Sequence, residues 1–274
     1  MDLFLAPGGS GLPFPDGSEL RLHSRFTHAI NVTHASGRLF TFHRYGKGCS
    51  PTGWIFYNDD FDKINRFIAA DSTLNVKDRG FTGRGYSLRN RRRLNFNVPE
   101  GEIAPPDLHR FTNPTGLLGP LNEAVNQQDH PLLKLLTHQL DRWLAGYRPD
   151  WRGLIGLGPG LTPSGDDMLT GALAALYSNQ QLLALNRYPS ILPDFQSLLT
   201  LTTSVSCSYL DSAARGQFST PLVRLMGRLA HSRDSETAIR DLLDHGHTSG
   251  ADTLLGLVTG LRWLRKAFPG ANHA

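Results

Sequence analysis

Eight residues occur twice in this chain with five positions unchanged. Residues 164–171 read SGDDMLTG and residues 249–256 read SGADTLLG, so both copies fit S-G-x-D-x-L-x-G. Each copy precedes a long apolar pattern with helical spacing. Asp167 and Gly171 lie four residues apart, as do Asp252 and Gly256, so each pair shares a helix face. Gly260 extends the second of these faces. A helical glycine costs about 1 kcal/mol against alanine, and its common use is to let another backbone come close. The repeat therefore predicts two helices packed through their glycines, with their N-termini converging on one pocket.

Two capping arrangements fit the first copy. Ser164 as cap with Asp167 three residues on makes a box, which Ser249 and Asp252 repeat. The other register caps with Thr162 and places Pro163 next. Either way, unpaired N–H groups and the positive end of the helix dipole face back into GLGPGLTP, residues 156–163. That geometry receives phosphate or carboxylate. No Lys-Ser or Lys-Thr follows the glycines, so this is no P-loop. No strand-turn-helix unit with GxGxxG surrounds it, which excludes a dinucleotide fingerprint. Two carboxylates at the same helix start call for a ligand with donors as well. A carbamoyl group needs N–H donors for its oxygens and an acceptor for its NH2. The alternative is Mg2+ on Asp166 and Asp167, which reverses the local charge and admits phosphate.

The rest of the chain predicts an α+β protein: a β-rich N-terminal region, residues 1–112, then a mostly α-helical region, residues 113–274, carrying both motif copies. RFTHAINVTH and GRLFTFHRY, separated by a short ASG turn, predict a hairpin. GWIFYN and RRLNFNV read as further strands. Between them DDFDKINRFIAA has Phe61, Ile64, Phe67 and Ile68 at helical spacing. PEGEIAPPDLHR, with three prolines, is a connection. Helices are expected at LLKLLTHQLDRWLAG, DDMLTGALAALYSNQQLLAL, FQSLLTLTTSVSCSYLDSAARG, STPLVRLMGRLA, SETAIRDLLDHG and ADTLLGLVTGLRWLRKAF. Thr220 and Ser235 are the expected caps of the fourth and fifth.

Composition narrows the function classes. The net charge of +4 favours anionic partners only weakly. The basic run RNRRR at 89–93 suits a solvated strand or loop better than a nucleic-acid patch, because no aromatic-interleaved signature accompanies it. Cys49 and Cys207 have neither CxxC nor zinc spacing and read as reduced structural thiols, hence a cytoplasmic setting. The first residues break into Gly and Pro too early for a signal peptide, and no apolar run is long enough for a membrane span. Other candidate site residues are Ser206 and Tyr209 in the small-polar segment 203–219, His245 and His247 before the second motif, and Lys47 in the Gly/Pro loop 45–54.

GLGPGLTPSGDDMLTG, TSVSCSYLDSAARGQFSTPL and GHTSGADTLLG together resemble a bacterial family otherwise catalogued as a domain of unknown function. Within it, the chain is most similar to the small third subunits of oxamate carbamoyltransferase, from INVTHASGRLFTFHR through the last helix. The resemblance implies a part in converting oxalurate and phosphate to oxamate and carbamoyl phosphate during anaerobic allantoin breakdown. It also implies two other subunits as partners, one of them resembling acyl-CoA synthetases, and small anions as ligands. It transfers no catalytic residues. From the motifs themselves, Asp166, Asp167, Asp252 and His247 are the expected catalytic groups. Gly158, Gly160, Thr162, Ser164, Gly165, Ser206, Tyr209, Thr248, Ser249 and Gly250 are the expected substrate- and anion-binding set.

Overall fold

A computed structural model describes residues 2–68, 73–179, 182, 188–244 and 246–269. They form two compact units, 1–96 and 97–274. The fold class is α+β as the sequence predicts, with strands in the first unit and helices dominating the second.

The first unit is one nine-stranded sheet. Its strands are β1 (Asp2–Ala6), β2 (Gly8–Gly9), β3 (Glu19–Arg25), β4 (Ala29–His34), β5 (Leu39–Arg44), β6 (Gly53–Phe56), β7 (Thr73–Lys77), β8 (Gly80–Gly83) and β9 (Tyr86–Asn90). The order is β1-β9-β8-β7-β3-β4-β5-β6-β2. Only Pro7 separates β1 from β2, yet they lie at opposite edges, so the sheet curls until it nearly closes. Gly9 completes the curl: it pairs with Trp54 on one side, and on the other its N–H donates to the Arg92 carbonyl while its carbonyl accepts from Leu94 N–H. Inside sits an aromatic cluster of Phe40, Phe42, Trp54 and Phe81, with centroids 5.0–5.7 Å apart.

The expected hairpin is β4–β5, antiparallel across the turn. GWIF is a strand, but it runs parallel to β5. Helix α1 (Asn58–Phe67) buries Phe61 and Ile64, with Ile68 buried just past its end, while Phe67 is exposed and lies against Tyr86 at the rim. RRLNFNV is not a strand: Arg93 makes an isolated bridge with Gly9, at the end of its two-residue strand, and Asn97 makes one with Gln217. Arg91, Arg92 and Arg93 are exposed, and Arg89 lies on β9.

The second unit contains, among the described residues, α2 (Leu121–Ala124), α3 (Pro131–Leu144), α4 (Ser164–Tyr177), α5 (Phe195–Leu199), α6 (Ser204–Ala213), α7 (Thr220–Ala230), α8 (Glu236–Leu243) and α9 (Ser249–Ala267). The two motif helices form its centre. Twelve of the 14 residues of α4 and 14 of the 19 of α9 are buried, and a helix covered on all sides must be wrapped by others. α9 touches α2, α3 and α8, and α4 touches α6. The long helix expected over 195–216 is two, α5 and α6. Thr203 restarts the chain by accepting Ser206 N–H at 3.0 Å, and Asp194 caps α5 through Ser197 N–H at 3.0 Å. Ser219, not Thr220, is the N-cap of α7, and Ser235 precedes α8 without a side-chain cap bond. Much of QQLLAL, and His245, lie outside the described residues. No helix among the described residues is long and apolar enough to cross a membrane.

Candidate functional site

The glycines of the repeat bring α4 and α9 into backbone contact, as their spacing predicts. A Cβ on Gly171 would lie 2.0 Å from the Thr253 carbonyl oxygen, and one on Gly256 would lie 1.8 Å from that of Met168. Met168 and Thr253 are the same position of the two copies, so the contact is reciprocal. Gly260 continues it against Ala172 and Ala175. The helices therefore run side by side in parallel, in register, with both N-termini at one end. Gly165 and Gly250 repeat the theme at the start of each helix, where the carbonyls of Leu154 and Leu242 occupy the space of a side chain.

The serines do not cap. The N-caps are Pro163 and Thr248, neither with a side-chain cap bond, so Ser164 and Ser249 are the first helical residues. The Ser–Asp relation of the motif is instead made across the helix pair. Ser249 acts on Asp167, and Ser164 acts on Asp252, each hydroxyl favouring the ionised carboxylate opposite. Both capping registers fail for one reason. The glycine faces set the helices close enough for each serine to act on the carboxylate of the partner helix. Thr162 adds to Asp167, and Thr248 to Asp252.

Each of the three carboxylates has a distinct environment. Asp166 is 1% exposed. Its Oδ1 accepts Gly156 N–H at 2.8 Å, and its Oδ2 accepts Ser206 Oγ–H at 2.5 Å and the Thr202 hydroxyl. It thus clasps the glycine loop and the start of α6 to the start of α4. Asp252 is fully buried and receives Gly116 N–H at 3.0 and 3.2 Å on its two oxygens. Gly116 has no room for a side chain, since a Cβ there would meet Ser164 Oγ at 1.9 Å. Asp167 is 8% exposed, and its Oδ2 has no hydrogen-bond partner among the described residues. Ser164 Oγ, close as it is to Asp252, likewise makes no hydrogen bond of regular geometry.

Burial raises the carboxyl of Asp166 above the usual range, against the pull of Ser206, Thr202 and Gly156. Burial likewise raises Asp252, against Gly116, Ser164 and Thr248. Asp167 is raised furthest, well above the ordinary range, by burial and then by the neighbouring Asp252 and Asp166, with Ser249 and Thr162 opposing. A native state that holds protons the unfolded chain has lost is stabilised by acid. The stability of the helical unit is therefore expected to fall as pH rises from the ordinary carboxylate range towards neutrality, by about 1.4 kcal/mol per pH unit for each such group still titrating. Denaturant midpoints at pH 5 and pH 8 measure this, and Asp167→Asn reduces the slope. Equal slopes in the two proteins would show Asp167 ionised throughout.

The remaining predicted residues surround this centre. The loop carries Gly156, Gly158 and Gly160 at φ of +79°, +117° and +89°, with Leu157 and Leu161 exposed. Gly158 lies over the first turn of α4, where a Cβ would meet Ser164 N at 2.7 Å. Gly165 N–H is taken by the Leu157 carbonyl at 2.9 Å. Tyr209 is half-buried on α6, and His247 is exposed before α9; neither is among the groups acting on the three carboxylates. Gly116 and Thr202 belong to the constellation and carry no helical or motif signal; a Gly/Pro-rich NPTGLLGP is the only sequence trace of the first. Among the described residues no group of three or more His, Cys, Asp or Glu side chains is arranged to hold a metal. Both cysteines are buried thiols, Cys49 raised by burial and Cys207 pushed up to about 12, so neither is poised as a nucleophile.

Residues 154–261, which carry the three carboxylates of this centre, match a family of carbamoyltransferase subunits. The family is that of oxamate carbamoyltransferase subunit AllH, to which this part of the chain is similar. No solved structure matches the chain.

Proposed function

We propose that this subunit supplies the carbamoyl-transfer site for oxalurate and phosphate, yielding oxamate and carbamoyl phosphate in anaerobic allantoin catabolism. It works in the cytoplasm with the two other subunits of the enzyme. One observation carries the reading: two parallel helix N-termini exchange their Ser–Asp contacts, yet leave Asp167 Oδ2 buried without a hydrogen-bond partner among the described residues and Ser164 Oγ without a bond of regular geometry. Buried polar atoms left unsatisfied cost about 1–3 kcal/mol each, and a ligand offering both donors and acceptors removes that cost. A ureide does so. Asp167 and Asp252 face its nitrogens. The amides of the loop at Gly158 and Gly160, of Ser164, and of the Ser249–Gly250 turn receive oxyanions of oxalurate and phosphate, helped by both helix dipoles. Thr162 and Thr248 orient the two carboxyls. Asp166 and Ser206 hold the loop, and His247 and Tyr209 stand at the edge.

The test is phosphate-dependent release of carbamoyl phosphate from oxalurate, by this chain alone and then assembled with its partners. Activity of the assembly that is lost when this subunit carries Ser164→Ala and Ser249→Ala together supports the reading. Oxalurate or carbamoyl phosphate should also raise the Tm of the isolated chain, with about 2.7 kcal/mol of stabilisation at a hundredfold excess over Kd. The close backbone packing of α4 on α9 favours a second reading, a non-catalytic assembly subunit in which the motif only joins helices. No ligand-induced rise in Tm, with full activity of the double serine variant, would favour that reading.

A further inference from the structure

We propose that Asp167 is the proton carrier of the transfer: its carboxyl protonates the departing oxamate nitrogen and recovers a proton from the attacking phosphate. This rests on the carbamoyl-transfer reading above. The geometry singles out one carboxyl of three. Asp166 is spent on Gly156, Ser206 and Thr202. Asp252 has both oxygens on Gly116 N–H. Only Asp167, nine-tenths buried, keeps an oxygen with no partner among the described residues, and that oxygen lies at the joint N-termini of α4 and α9. The groups acting on Asp167 are Asp166 from its own helix, Asp252 and Ser249 from α9, and Thr162 from the loop; no cation is among them. Burial and the neighbouring Asp252 and Asp166 favour its protonated form. Once the proton leaves, the two helix dipoles and the Ser249 and Thr162 hydroxyls stabilise the carboxylate. Asp167 is therefore able both to hold a proton and to release it.

The transfer balances in atoms and charge. An oxygen of HPO4(2−) forms a bond to the carbamoyl carbon of oxalurate, and the bond from that carbon to the oxamate nitrogen breaks. The nitrogen, a poor leaving group as an anion, takes the Asp167 proton and departs as the primary amide of oxamate. The phosphate proton passes to Asp167, leaving carbamoyl phosphate as the dianion. No oxidant, reductant or further reactant enters.

The experiment compares native and Asp167→Asn subunits in the full complex on two carbamoyl donors. Asn matches the shape of a protonated Asp and leaves the packing intact. With oxalurate and phosphate, kcat should drop about 100- to 1,000-fold, the range for loss of a general acid. With p-nitrophenyl carbamate, whose leaving group departs without a proton, the variant should stay within a few-fold of native. Equal losses on both donors would make Asp167 a positioning or structural residue and overturn the proposal, as would no loss on oxalurate. A native complex inactive on oxalurate would instead remove the carbamoyl-transfer reading, and the proposal with it. A second readout needs no turnover. The infrared spectrum of the native chain at neutral pH should show a protonated-carboxyl stretch that Asp167→Asn removes, and an ionised Asp167 there would also end the proposal.

Discussion

A Gly256→Ala chain should lose most of its folded helical unit, even though alanine is the better helix former. In an open helix the exchange gains about 1 kcal/mol. At Gly256 the new methyl carbon would sit 1.8 Å from the Met168 carbonyl oxygen and 2.5 Å from its carbon. Neither atom belongs to a flexible side chain, so the whole of α4 has to move away. That movement opens the reciprocal contact at Gly171 and the Gly260 contact with Ala172, and pulls Ser249 from Asp167. Overpacking alone costs about 1–3 kcal/mol, and more where backbone must shift; with the broken polar contacts the net cost should reach at least ~3 kcal/mol. Gly227, in the middle of α7, is the control, because a Cβ there meets nothing within 4 Å. Gly227→Ala should match or exceed native stability. Urea midpoints followed by far-ultraviolet circular dichroism compare the three proteins. A Gly256→Ala protein as stable as Gly227→Ala would mean that the helix pair is not the core of the unit.

The glycine spacing made this helix pair legible from sequence because a helical period and a costly residue type coincide on one face. The hairpin β4–β5 was legible for a similar reason: its strands are rich in β-branched and aromatic residues around a short turn. Other strands carry a weaker version of that signal: β7 is only five residues, TLNVK, and meets β8 across Asp78 and Arg79. β8 is GFTG and β9 is YSLRN, and β1 and β2 are strands only because a curling sheet brings its first and last parts together. RRLNFNV had the composition of a strand, but one two-residue strand lies beside it. Composition measures fitness for a sheet, while pairing depends on what the fold brings alongside.

In the site, the two motifs announced which residues matter but not what each does. A serine three residues before an aspartate reads as a cap within one helix. Here the same residue types serve the opposite helix, which only the inter-helix distance decides. Gly116 meets Asp252 from 136 residues away, and Thr202 meets Asp166 from 36; no local pattern encodes such partners. The surroundings of Asp166 were hidden for the same reason, since its three donors come from two other segments.

Asp166 should accordingly separate two substitutions that sequence alone would treat alike. In Asp166→Ala the Gly156 N–H and the hydroxyls of Ser206 and Thr202 lose their acceptor inside the protein. Leaving buried neutral donors without an acceptor costs about 1–3 kcal/mol each, and the loop over α4 loses its tie to the start of α6. Asp166→Asn keeps the shape. Its amide oxygen still accepts Gly156 N–H, and its NH2 donates to the two hydroxyls, which turn to accept. Since burial already favours the neutral form of Asp166, the Asn protein should stay within about 1 kcal/mol of native and keep kcat within a few-fold in the assembled complex. The Ala protein should unfold at much lower urea and, where still folded, show a raised KM, because the amides of the loop no longer hold their positions. An Asp166→Asn complex that is fully stable yet loses activity a hundredfold or more would transfer the proton-carrying role from Asp167 to Asp166. Equal stability of the Ala and native proteins would mean that the clasp between loop, α4 and α6 contributes nothing to the fold.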